Sequence, residues 1–412
     1  MNRIIVLLAA AGLMLAGCSK MGELEENLMG DELQPMVYIH LAESERAARN
    51  ASNSFGLETF HRLYAASGGE DVVFSPLSLS LALSMAAEGA AGDTYDQFAR
   101  VIGWGDATQE AVGSYYKKMI DGLVTADPSV LFTSANSIWA AKSLPLKKEY
   151  QSLLEKNYAA ESYQVDFSLS ATLDRINTWC SEKTDGKIPK MLDFLNPRTS
   201  MMLINALLFK APWSFTWDVL RNRRFTTASG SRTTKDYLYV EKELGYGDWG
   251  DFETACISYG NGAYQMVVVL PKEGKSLAEL LPELKPEAFS YALESAKAKL
   301  YLPKWSSSYS TGDLLVDVLK AQGLSLPFDP VRADFSGIST QSQYIDKVIQ
   351  KVKIDVTEKG TEFAAVTVVV GGVTSAGPVS RKEVTLDLNR PFAYAIREVS
   401  TGTILLLGTL SR

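Results

Sequence analysis

The sequence predicts one α+β domain running from about Ala47 to Arg412. Three observations carry this. Apolar residues at helical spacing, such as Phe55, Leu57, Phe60 and Leu63, concentrate in the first half of the chain. Runs of Val, Ile, Leu and aromatic residues bounded by Gly or Pro concentrate in the second half. No internal repeat or low-complexity linker divides the 412 residues, although length alone would suggest about two to three domains.

The chain opens with M-N-R-I-I-V-L-L-A-A-A-G-L-M-L-A-G-C. Arg3 supplies a positive start, and the apolar run from Ile4 to Met14 is too short to span a bilayer as a mature helix. Leu15-Ala16-Gly17-Cys18 resembles the lipobox of bacterial lipoproteins, in which the Cys becomes the acylated N-terminus. Residues 1–17 then read as a lipoprotein signal peptide and residues 18–46 as an acidic tether with an apolar interlude at Met36-Val37-Tyr38-Ile39. The alternative is an ordinary secretory signal with a chance Cys. Either reading exports the protein; the first anchors it by lipid to the outer membrane or cell surface, with the periplasmic face as an alternative. Cys180 and Cys256 then suggest no disulfide framework and read as buried small side chains.

The elements follow in order. Ala47 to Tyr64 is an amphipathic helix closed by Gly68-Gly69. Val72 to Phe74 is a short strand. Ser75 then caps a helix with Pro76 at its first position. Leu77 to Ala90 is apolar almost all round, which predicts a buried helix. Gly92-Asp93-Thr94 ends it and caps the next. Asn136 to Ala140 reads as a strand, Ala171 to Lys183 as a helix, and Met201 to Lys210 as a central strand whose one amide is Asn205. Further strands are predicted at Tyr264–Leu270, Ala298–Pro303, Val348–Thr357, Val384–Leu388, Phe392–Glu398 and Ile404–Leu410. Leu314 to Gln322 is a helix stopped by Gly323.

Most catalytic chemistry is excluded. The net charge of -7 argues against a nucleic-acid partner. Of the two histidines, His40 lies in the tether and His61 on the first helix. No G-x-S-x-G turn presents a serine to either of them. Clusters of His and Cys that would hold zinc are missing. Ser114-Tyr115-Tyr116-Lys117 and Ser134-Ala135-Asn136 fit the loose motifs of penicillin-recognising enzymes, but the third element, K-T-G, is absent. Trp213 and Trp217 read as core residues.

The stretch from Glu358 to Arg381 stands apart, with no charge between Glu362 and Arg381. Val and Thr favour a strand, while Gly371, Gly372, Gly377 and Pro378 break its second half. It reads as a core strand followed by a loop, or as an exposed loop that becomes a strand later.

Taken with this stretch, the chain resembles the serpins along nearly the whole domain. The matching residues include Phe74-Ser75-Pro76-Leu77-Ser78, Ile176-Asn177-Thr178-Trp179, Asn205 to Trp213, Ala333-Asp334-Phe335-Ser336-Gly337, Glu358-Lys359-Gly360-Thr361-Glu362 and Asn389-Arg390-Pro391-Phe392. The resemblance implies three sheets, about nine helices and an exposed reactive-centre loop at about residues 358–383. It also implies a monomeric inhibitor of serine, and by extension cysteine, proteases, with no catalytic group, cofactor or metal of its own. A protease cuts the loop, is held as an acyl-enzyme, and is carried across the molecule as the loop enters the main sheet. The hinge would be Glu358, Gly360, Thr361, Glu362, Phe363, Ala364, Ala365, Val366 and Thr367. Ser75, Ser78, Asn205 and Gln350 would lie under the opening sheet, and Trp213 at its mouth.

Alternation tests whether this loop can insert. Thr361, Phe363, Ala365, Thr367, Val369, Gly371 and Val373 would face the core, and the one charge, Glu362, would face outward. Ladder hydrogen bonds, about 0.5–1.5 kcal/mol each, are offset by about 1–2 kcal/mol of backbone entropy per residue. Burial at about 1.5–3 kcal/mol per Val or Phe then decides. Counting from Glu358 at the family's interval places the scissile bond between Thr374 and Ser375, suited to elastase-like or broad-specificity proteases. Val373 and Arg381 are the alternatives. Phe363 stands where inhibitory members have Ala, which favours a second reading as a non-inhibitory binding or structural protein. Gln350 stands where the family has His, removing a pH response.

Overall fold

The computed structural model describes residues 34–105, 107–290, 293–361 and 382–412. Among these are nine α-helices: α1 Glu43–Ala66, α2 Pro76–Ala87, α3 Gly92–Ile102, α4 Gln109–Thr125, α5 Lys148–Tyr158, α6 Ser170–Lys183, α7 Leu277–Leu280, α8 Glu287–Ser290 and α9 Leu314–Ala321. The strands are β1 Val73–Phe74, β2 Leu131–Ala141, β3 Glu161–Val165, β4 Met201–Pro212, β5 Asp218–Thr226, β6 Arg232–Asp248, β7 Phe252–Tyr259, β8 Tyr264–Pro271, β9 Glu294–Pro303, β10 Trp305–Ser310, β11 Ile345–Thr357, β12 Gly360–Thr361, β13 Glu383–Asp387, β14 Phe392–Glu398 and β15 Ile404–Leu410.

Two sheets organise them. One runs β10-β11-β12-β4-β2-β3, with β11 also paired directly to β4. The other has nine strands in the order β1-β15-β14-β8-β7-β6-β9-β13, with β5 on β6. Two of the three expected sheets are joined here because the long β6 pairs with β5 through one half and with β7 through the other.

The continuous apolar run of β4 has a physical reason: both of its faces are covered. Leu203, Leu207, Phe209 and Ala211 belong to the main core, whereas Met202, Ile204 and Ala206 meet Ile176, Trp179 and Cys180 of α6. Every residue of α2 is buried, in keeping with its nearly all-apolar sequence. Ser75 caps it as expected, its side chain accepting from the Ser78 amide at 3.2 Å. Cys180 and Cys256 are free and buried.

Some expectations move. α1 starts at Glu43, inside the stretch read as tether, and residues 34–42 are laid on the body. The Val37 amide donates to Ala126 O at 3.2 Å, and the Ile39 amide to Ser400 Oγ at 2.9 Å. A Cβ at Gly122 would come within 2.7 Å of the Ile39 side chain, so the glycine makes room for this apolar interlude. Ala91, not the Gly92-Asp93-Thr94 triplet, caps α3; Thr94 Oγ1 instead accepts from the Asp334 amide at 2.9 Å. Several elements were not predicted at all: α4, α5, β3, β5, β6, β7 and β10.

Candidate functional site

The site is the mouth of the six-stranded sheet, where the chain leaves β11 and turns back. Glu358 and Lys359 make the turn, and Gly360–Thr361 then lie as β12 between β11 and β4, antiparallel to both. Gly360 has φ +151, and a Cβ there would fall 2.0 Å from Ala211 O, so only glycine fits. Trp213 reads this turn twice: its amide donates to Lys359 O at 3.2 Å and its Nε1 to Thr357 O at 2.8 Å. Its indole stacks on Tyr259 at 4.3 Å between ring centroids. The Tyr259 and Thr361 hydroxyls lie 2.6 Å apart. Burial pushes the Tyr259 phenol well up, so it stays neutral. On the rim Glu358 pairs with Lys304 at 2.5 Å, and this lysine holds its carboxyl below the ordinary range.

Below the hinge the sheet is closed. Val348, Ile349, Gln350 and Lys351 pair in parallel with Leu203, Ile204, Asn205 and Ala206. The loop expected to enter here, with Glu362, Phe363, Ala364, Ala365, Val366, Thr367, Val373, Thr374, Ser375 and Arg381, lies outside the described residues, as does Cys18. The register of β12 gives the positions that an inserted strand would face. Thr361 faces Ala211 on β4 and Val356 on β11. A strand continuing β12 in the same register would set Phe363 between Phe209 and Ile354, and Ala365 between Leu207 and Val352. It would set Thr367 between Asn205 and Gln350, and Val369 between Leu203 and Val348. The last two pairs are already opposite one another in the closed sheet, so the two ladders agree. Gly371 would meet Met201 at the end of β4, which leaves Thr374 just past the sheet.

Ser75, Ser78, Asn205 and Gln350 are brought together beneath the closed section. The Ser75 amide donates to Gln350 Oε1 at 2.6 Å, and Gln350 Nε2 donates to Ser75 O at 3.1 Å. The Ser75 hydroxyl donates to Leu405 O at 2.6 Å, tying the cluster to β15. Ser78 Oγ lies 3.0 Å from Ser134 Oγ, which accepts from Asn205 Nδ2 at 3.3 Å. Asn205 Nδ2 also donates to Asn136 Oδ1 at 2.8 Å. Asn205 Oδ1 is buried and has no partner among the described residues. α6 closes the opposite face of the sheet at this level.

Sequence reading missed Ser134, Asn136, Tyr259, Lys304 and Thr311, whose hydroxyl accepts from the Gln350 amide at 3.1 Å. Ser134 and Asn136 did carry a signal, but it was weighed only as an enzyme tripeptide. The other half of that motif is consumed structurally: Ser114 donates to Glu45 at 2.6 Å and Lys117 pairs with Asp121 at 3.0 Å. Trp217 packs edge-on to Trp213 in the core.

Comparison with known proteins agrees with this geometry. The model of the family described as Serpin (serine protease inhibitor) matches residues 50–412. Among similar proteins, a serpin-like protein of Thermococcus kodakarensis is 30% identical, the match covering 89% of this chain and 86% of the relative. Human antithrombin-III is 30% identical over 88% of this chain and 81% of its own. The crystal structure of the thermophilic serpin tengpin in its native state superposes with a TM-score of 0.79 at 28% identity, covering 92% of this chain and 97% of that one. With a sheet closed below a hinge that has just entered it, and a family match over nearly the whole domain, the chain belongs to the serpin family.

Proposed function

We propose that this serpin is a suicide inhibitor of serine proteases of elastase-like or broad specificity, cut between Thr374 and Ser375. The observation that carries the reading is the hinge: Gly360 and Thr361 already occupy the strand position between β11 and β4, while the slot below them is still shut. The protease serine attacks the Thr374 carbonyl, the bond to the Ser375 nitrogen breaks, and that nitrogen leaves as a protonated amine. The ester to Thr374 persists while residues from Glu362 onward zip into the slot. Thirteen steps along the strand from Thr361 to Thr374, at about 3.3 Å each, carry the ester roughly 43 Å from the hinge. Cleavage at Arg381 would leave seven residues of slack, enough for the protease to regain its geometry.

Export and acylation at Cys18 complete the proposal, holding the inhibitor at a membrane. Incubation with elastase followed by a denaturing gel tests the inhibitory step. A protease-sized upward shift is expected, and cleavage without any adduct would sink it.

One feature favours a second reading, a non-inhibitory binding or structural role. Phe363 would enter beside Phe209 and Ile354, 2% and 0% exposed, with Phe209 already packed edge-on to Tyr259 and Tyr264. Full cleavage with no trapping by any serine protease would favour this alternative.

A further inference from the structure

A cleft of about 720 Å³ opens where the end of α1 meets α7, the β5–β6 turn and the residues after β15. That volume suits a drug-sized molecule. His61, Tyr64 and Ala65 line it from α1 at i, i+3 and i+4, the spacing that sets residues on one side of a helix. Small side chains leave the room: Ala65, Ala228 and Ala278 come from three different elements and are all exposed on its wall. Tyr64 and Leu281, both buried, give it apolar surfaces. The cleft shares no residue with the hinge.

Two polar atoms of this wall are unanswered. Ser411 is 1% exposed; its amide donates to Asp71 Oδ1 at 2.5 Å and its carbonyl accepts from the Ala228 amide at 2.7 Å. Its backbone is thus pinned on both sides, yet its buried hydroxyl has no partner among the described residues. His61 Nε2 is likewise buried without a partner among them. Unpaired buried groups cost stability that a bound molecule would restore.

The charges of the lining are already answered. Arg412 pairs with Glu70 at 3.2 Å and lies 3.8 Å from Asp71. Burial pulls the His61 imidazole from 6.5 down to about 4, so it is neutral at pH 7. An ionised ligand would meet no countercharge here, and losing its water would go uncompensated. A hydroxyl can donate to one of the two free groups and accept from the other.

We infer that this cleft binds an uncharged small molecule with an apolar body and a hydroxyl head, the head held by Ser411 and His61. Both atoms are shut off from solvent, but a serine hydroxyl swings about one bond and an imidazole about two. A change of rotamer therefore presents them to the ligand with the backbone still.

Calorimetric titration of the whole protein at pH 7 tests this with three probes that share one body: 4-phenylphenol, 4-phenylbenzoate and 4-phenylbenzylamine. The phenol is expected to bind saturably, one per chain, and at least tenfold tighter than either charged analogue. No saturable binding overturns the site, and equal or tighter binding of a charged analogue overturns the choice of ligand. Ala65→Trp and, separately, Ala278→Trp should fill the cleft and weaken binding at least tenfold; both alanines are exposed, so the core is left as it is. Ala66→Trp, exposed next to Ala65 but outside the lining, should change nothing. Binding that survives both fillings, or that falls equally in Ala66→Trp, overturns the location. Ser411→Ala and His61→Leu should each weaken the phenol about three- to tenfold. Unchanged affinity in both overturns their role in holding the head.

Discussion

Gln350 stands opposite Asn205 in the parallel register of β11 and β4, and Asn205 Oδ1 beneath that pair is buried without a partner among the described residues. On the proposed insertion, the hinge register would bring Thr367 between these two residues, on the same face as Asn205. Its hydroxyl is a donor arriving where an acceptor is unsatisfied. Thr367→Val should leave the uncleaved protein unchanged and lower the stability of the loop-cleaved form by about 0.5–1.5 kcal/mol. Denaturant titration of both forms reads the difference.

Phe363 is the bulky residue on the inward face of the expected strand. Phe363→Ala should speed insertion and move products from cleaved inhibitor toward covalent complex. The ratio of the two gel bands after reaction with elastase measures this. An unchanged ratio would mean that the sheet accepts the ring between Phe209 and Ile354 without delay.

Lys304 and Glu358 tie β10's neighbourhood to the turn before the hinge. The Glu358 carboxyl lies below its ordinary 4.5, so the pair contributes stability above that value and loses it as pH falls through the lower folded-state pKa. Both side chains are partly exposed, so the effect on global stability is small. Lys304→Ala should instead show at the hinge, as faster loss of trapping activity on warming at neutral pH. Acid should narrow the difference between the parent protein and the variant, because protonation of Glu358 removes the same pair.

His61 supplies a separate acid response. Burial pulls its imidazole from 6.5 down to about 4, and its Nε2 has no partner among the described residues. Folding thus excludes a proton that the unfolded chain accepts. Stability should be full above pH 6.5 and decline toward pH 4, with a slope of at most about 1.4 kcal/mol per pH unit from this group. His61→Leu should flatten that slope, whereas Gln350→Ala should lower the whole curve and leave the slope in place. Urea unfolding across this pH range distinguishes them.

The deeply buried elements were legible in the sequence. β14 and β15 span the residues predicted for them, and the amide-interrupted run of β4 marks a strand covered on both faces. The exposed strands were not legible. β5 contains R-N-R-R and β10 is W-S-S-S-Y-S, and neither has the apolar alternation that a half-buried strand shows. What makes them strands is a neighbour's ladder. α4 did carry helical spacing in Val112, Tyr115, Tyr116, Met119 and Leu123, all buried, but its serine and lysine drew attention to a motif instead. In the site, Gly360, Trp213 and Asn205 stood out by resemblance. Tyr259, Lys304 and Ser134 did not, because their partners lie far away in sequence: the turn at Gly360 brings Thr361 to Tyr259 and Glu358 to Lys304, and the pairing of β2 with β4 brings Asn205 to Ser134.

The short direct pairing of β4 with β11 has a consequence for how variants should be judged. One ladder closes the slot now, and two would replace it once the loop is in. If the loop inserts as proposed, a substitution that weakens the direct pairing would steer the chain toward the inserted, two-ladder and so more heat-resistant arrangement. Selecting variants by survival at high temperature would enrich molecules that have already fired and can no longer trap anything. For this fold, durability and usefulness must be assayed apart.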